Sequence, residues 1–187
     1  QVQAIKSLQT SAQEGKQRFL FEMATGTGKT LISGAVIKLF LKSGNARRVL
    51  FLVDRLELED QAQKSFVQYL GKDFRSVIYK DSRDSWQNAS VVVSTIQTFL
   101  AGDRHKKEFS PTDFELVISD EAHRSIGGNS RAVFEYFVGY KLGLTATPKD
   151  YLKGFDLEDA DTQREFERRQ LLDTYKTFGC ASGEPTF

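Results

Sequence analysis

The ten residues FEMATGTGKT, Phe21 to Thr30, restrict the fold more than any other stretch of this chain. An apolar run, Phe19-Leu20-Phe21, meets glycines, threonines and a lysine, and a second apolar run, LISGAVIKLFL, starts at once. Small and cationic residues at a seam between two hydrophobic elements suit a loop that cradles phosphate. Gly26 and Gly28 can take positive φ and let an anion approach the main chain closely, with Thr27 between them. The following helix adds unpaired N–H donors and the positive end of its dipole. Lys29 then supplies a point charge for the β- and γ-phosphates, and the Thr30 hydroxyl can ligate Mg²⁺. The usual formula places a glycine five residues before Gly28, where this chain has Met23. A chance GKT at a helix start would give the same residues without the ligand.

The rest of the chain alternates in the way such a loop requires. Strands are expected at 18–23, 48–53, 76–80, 90–95, 114–120 and 141–146, and helices at 2–13, 29–42, 56–70, 96–101 and 131–137. Several strands (VLFLV, VVV, LVI) are apolar without a break, as strands buried on both faces of a parallel sheet must be. Strand alternating with helix gives an α/β fold with right-handed crossovers and helices on both faces of a mainly parallel sheet. Residues 1–150 are expected to form this domain. Residues 151–187, where charges mix at helical spacing before a turn-rich FGCASGEPTF, are expected to be a solvated helix and a connector.

Composition excludes several classes. With 187 residues, the chain has room for one domain with a full core. A net charge of +1 gives no overall basic field, so any nucleic-acid surface must be local. The cluster Arg104-His105-Lys106-Lys107 could touch phosphates, or be a solvated loop. No run approaches the roughly 18 apolar residues of a membrane span. The single cysteine, Cys180, rules out an internal disulfide and reads as a structural thiol in a reducing cytoplasm. Both chain ends read as those of a piece of a longer protein.

A second constellation is FELVISDEAH, Phe114 to His123, a hydrophobic strand ending in two acids. In a parallel sheet its carboxyl end is expected beside the loop after the first strand, in the crevice where open α/β sheets bind ligands. Asp120 would hold Mg²⁺ there, and Glu121 would orient and deprotonate the water that attacks the γ-phosphate. Helix-start acids favoured by a dipole would show the same dipeptide. KLGLTATP, Lys141 to Pro148, ends a further strand with Thr145, Ala146 and Thr147, whose hydroxyls could bond the DEAH acids. Three strand ends bearing a phosphate loop, paired acids and hydroxyls point to ATP with Mg²⁺.

MATGTGKT, DEAH and TAT, in this order and separation, resemble the first RecA-like domain of superfamily 2 helicases and translocases. FLVDRLELEDQ and DTYKTFGCASGEPTF further resemble the motor subunit of type I restriction enzymes, the R subunit. The resemblance implies ATP and Mg²⁺ as ligands, with His123, Thr145 and Thr147 coupling hydrolysis to movement. It implies DNA contacts by Asp54, Arg55 and Gln61 after the second strand, and by Ser94, Thr95 and Gln97 after a later one. Helix capping by Asp54 and Thr95 would explain those two equally well. Gln1 falls at the glutamine of an adenine-reading motif. The implied function is ATP-driven translocation along duplex DNA beside methyltransferase and specificity subunits, with a second RecA-like domain elsewhere in the chain. No carboxylates and lysine spaced as in a nuclease occur here. Rival readings are an RNA helicase of the same superfamily, a non-hydrolysing nucleotide-dependent clamp, and a small-molecule P-loop kinase, which would have no use for TAT.

Overall fold

The computed structural model describes residues 2–24, 26–71, 73–152 and 160–180. Its strands are β1 (Arg18–Glu22), β2 (Val49–Val53), β3 (Ser76–Ile78), β4 (Val91–Thr95), β5 (Leu116–Asp120) and β6 (Tyr140–Thr145). They form one sheet in the order β1-β6-β5-β2-β4-β3, and every neighbouring pair is parallel. The helices are α1 (Val2–Gln13), α2 (Lys29–Ser43), α3 (Leu56–Leu70), α4 (Ile96–Leu100), α5 (Arg104–Lys107), α6 (Ala122–Ser125), α7 (Gly128–Tyr136), α8 (Ala160–Leu172) and α9 (Thr174–Phe178).

Alternation along the strands builds two cores. Phe19, Phe21, Val49, Phe51, Val53, Ile118 and Leu142 point to the face covered by α1, α2 and α3. Leu20, Leu50, Leu52, Val92 and Val117 point to the other face, under α4, α6, α7 and α9. Successive side chains of a strand face opposite ways, so a strand apolar at every position is one buried on both sides. The expected doubly covered parallel sheet is therefore present.

Three local expectations differ from the structure. The strand expected at 76–80 stops at Ile78, and Tyr79–Asp81 make a 3₁₀ turn. Tyr79 is drawn into the second core, where its ring lies 5.3 Å from Phe99 and 5.1 Å from Phe109, and its hydroxyl bonds Glu108. The basic cluster is a helical turn, not a loop: His105 is buried edge-on to Tyr136, leaving Lys106 and Lys107 exposed. The connector is not simply solvated either. Phe178 is buried in the second core, and Asp173 and Thr174 are buried where they join α8 to the segment after β6. Cys180 is half-buried beside that core, its thiol directed at the Tyr175 carbonyl oxygen. Among the described residues, no helix is long and apolar enough to cross a membrane.

Candidate functional site

The site lies at the carboxyl edge of β1, β6 and β5. Among the described residues β1 pairs only with β6, and the ladder runs one step past the strand, where the Met23 N–H donates to the Thr145 carbonyl at 2.8 Å. Met23, at the place of the missing glycine, packs its side chain against the first core. The chain then turns: the Thr27 hydroxyl donates to the Ala24 carbonyl at 2.6 Å, and Gly26 (φ 80°) and Gly28 (φ 91°) take left-handed conformations that any Cβ would strain. Gly28 caps α2, so Lys29 and Thr30 open its first turn with their N–H groups at the loop.

The Lys29 ammonium reaches across β6 and meets the Glu121 carboxylate at 2.8 Å. The acids therefore lie beside the loop as expected, although the strands that carry them are not adjacent: the TAT strand lies between. Glu121 has φ 52° and ψ 50°, a left-handed conformation unusual for a residue with a Cβ. Such strain persists where surrounding structure over-determines it, often at functional sites. Its N–H donates to Asp120 Oδ1 at 3.1 Å. Burial pushes the Asp120 carboxyl above the ordinary aspartate value, against the opposing pull of Lys29.

The hydroxyl of Thr145 bonds His123, not the acids: its Oγ1 lies 2.8 Å from His123 Nδ1 and also accepts the Thr147 N–H at 3.1 Å. His123 Nδ1 is in turn 3.5 Å from Glu121 Oε2. Burial lowers the His123 pKa, which favours the neutral imidazole. Lys29, Glu121, His123 and Thr145 thus form one continuous polar chain from phosphate loop to TAT. Among the described residues, no group of three or more His, Cys, Asp or Glu could hold a metal ion alone. Mg²⁺ is commonly held by one or two protein groups with phosphate oxygens and water, a set that Thr30 and Asp120 fit. A carboxylate destabilised by burial is also the kind of group a cation relieves.

The residues implied for DNA divide. Asp54, Thr95, Gln97, Thr98 and Arg104 border a groove of about 410 Å³ along the ends of β2 and β4. Arg55 is exposed beside Asp54 at 3.7 Å, and Gln61 is exposed on α3. Ser94 is fully buried, its hydroxyl turned to the Thr95 carbonyl, so it does not face the groove. The Thr95 side chain is also buried and caps α4 by accepting the Thr98 N–H, the capping role its sequence equally allowed. Two neighbours escaped the sequence reading. Buried Glu59 accepts the Thr95 N–H at 2.9 Å and pairs with Lys80, and Arg124 pairs with Asp54 at 2.6 Å. Neither stands out in sequence, because LELED and EAHR read as ordinary helix charges.

A glycine loop between the first strand and its helix, with paired acids on the same edge of a parallel sheet, defines a RecA-like P-loop domain. Residues 1–150 match the family described as type III restriction enzyme, res subunit, and the chain belongs to that family. A type I restriction enzyme EcoAI endonuclease subunit from Escherichia coli is 32% identical over 154 residues, 80% of this chain and 19% of that protein. The Hef helicase domain of Pyrococcus furiosus superposes with a TM-score of 0.65 at 21% identity, covering 97% of this chain and 38% of the other. A Sulfolobus solfataricus SWI2/SNF2 ATPase core, solved with double-stranded DNA, gives 0.64 at 18% identity over 79% of this chain and 31% of the other. The chain spans about a fifth of the length of its EcoAI relative.

Proposed function

We propose that this chain is the DEAH-type ATP-binding motor domain of a DNA translocase, the R subunit of a type I restriction enzyme. The observation that carries the reading is the 2.8 Å contact between Lys29 and Glu121 across the TAT strand. A lysine and a carboxylate held that close at a glycine loop are placed to change partners: Lys29 to the terminal phosphates, Glu121 to a water. Gly26, Thr27 and Gly28 supply main-chain donors to the phosphates. Thr30 and Asp120 hold Mg²⁺, which when bound neutralises charge developing on the phosphate oxygens. Glu121 orients the attacking water and takes its proton. His123, Thr145 and Thr147 pass the change onward. Gln1, proposed for adenine, lies outside the described residues. The partners in this reading are duplex DNA, methyltransferase and specificity subunits in the cytoplasm, and a second RecA-like domain in the full-length protein. Nuclease chemistry belongs elsewhere in that protein.

The test is steady-state ATP hydrolysis by the full-length protein with duplex DNA, RNA or neither. Stimulation by duplex DNA, lost in Lys29→Ala and Glu121→Gln, is the expected result. Stimulation by RNA alone would make it an RNA helicase. ATP binding without single-turnover cleavage would make it a clamp.

A further inference from the structure

Arg124 stands three residues after Glu121, on the four-residue helix α6, and its N–H donates to the Glu121 carbonyl at 2.8 Å. That bond ties the turn carrying Arg124 to Glu121, whose backbone is left-handed. The Arg124 guanidinium reaches Asp54 at the tip of β2, with Nη1 to Oδ2 at 2.6 Å, and both charges still act on His123. That same Oδ2 lies 3.7 Å from Arg55 Nε, so two cations share one carboxylate oxygen on the rim of the groove. Half the Arg124 side chain is exposed (52%), so solvent screens the pair and it adds little to stability.

Asp54 lines this groove, and without its arginine partners its carboxylate would repel phosphate. Guanidinium binds phosphate as readily as carboxylate, often through two parallel hydrogen bonds. Phosphate in the groove would thus compete with Asp54 for Arg124, whose backbone is bonded to Glu121, the N-cap residue of α6. Resting on the motor reading above, we propose that the Asp54–Arg124 pair is the positioning contact through which nucleic acid in the groove sets Glu121. It links the two sites by one side-chain contact and one short helix, and it gives Glu121 a reason to change partners when DNA arrives.

The experiment uses the full-length protein, measuring ATP hydrolysis with saturating duplex DNA and without DNA, and the DNA concentration giving half the effect. Arg124→Gln and Asp54→Arg should each lower the ratio of DNA-stimulated to unstimulated rate by about tenfold, the size of a typical coupling between sites. The conservative Arg124→Lys, which keeps a cation for both Asp54 and phosphate, should recover most of that ratio. A purely structural pair would lower both rates alike and leave the ratio unchanged, which would overturn the inference. So would an Arg124→Lys protein no better than Arg124→Gln. A wild-type protein unresponsive to DNA and RNA would instead remove the motor reading itself, and the inference with it.

Discussion

Asp120 answers two opposed demands. Burial raises its pKa, so the protonated carboxyl is the form the fold favours. The stability this lends is present below the unfolded aspartate pKa and is lost as pH rises through the elevated folded value. Once ionised, the buried side chain costs stability, and the cation proposed to bind there would offset that cost. Asp120→Asn should melt no lower than wild type without nucleotide, yet lose the extra stabilisation that Mg²⁺ brings to ATP binding. Thermal melts with ATP, with and without Mg²⁺, measure both. His123 works with the opposite sign. Burial depresses its pKa, so its contribution is present above the unfolded imidazole pKa of about 6.5 and is lost as pH falls through the folded value. Between pH 7.5 and 5.5 the wild-type melting temperature should drop further than that of His123→Asn.

At the scale of elements, the connector is fastened from both sides. Asp173 Oδ2 accepts the Tyr151 N–H at 2.7 Å and the Leu152 N–H at 3.3 Å, while Oδ1 caps α9 through Lys176 at 2.8 Å. Arg18 of β1 ties the same helix by donating to the Thr177 carbonyl. Asp173→Ala should cost about 1–3 kcal/mol locally, the penalty of buried donors left unpaired. Faster hydrogen exchange at 149–152 and 174–178, without change at β2, would show it. Gly143 of β6 meets α9 from below: a Cβ there would lie 2.5 Å from Phe178 Cζ and 2.9 Å from Ala122 Cβ. Gly143→Ala should destabilise by roughly 1–3 kcal/mol, the usual cost of overpacking, and displace Phe178; a denaturant midpoint measures the first. These contacts also explain what the sequence hides. VLFLV and LVISD announce strands because burial on both faces leaves no polar position. GTGKT and DEAH announce a site because small, cationic and acidic residues interrupt buried runs. DTYKTF carries a family resemblance but no sign of where it packs, since its place depends on Asp173 meeting N–H groups over twenty residues away. Ser94 likewise looks like a strand-end hydroxyl open to a ligand, and only the packing shows it buried, its hydroxyl turned to the Thr95 carbonyl.

For the molecule as a whole, this chain holds phosphate loop, acids and TAT on one edge, and that edge faces no second domain among the described residues. Motors of this kind normally take an arginine finger from such a domain, worth about 10³–10⁵ in rate. On the proposed reading, residues 1–187 alone should bind ATP weakly and turn it over little, and the full-length protein should hydrolyse it; steady-state rates of the two preparations compare them directly. Substantial turnover by residues 1–187, abolished by Glu121→Gln, would remove the need for an outside arginine. The Lys29–Glu121 pair also governs how the protein responds to ionic strength. Lys29 already has an anionic partner, so a triphosphate binds by exchange instead of capturing a bare cation. Salt screens the incoming ligand and the resident carboxylate alike. ATP affinity should then fall less steeply with added salt than the ligand's own charge would dictate, and Glu121→Gln should restore the steeper dependence.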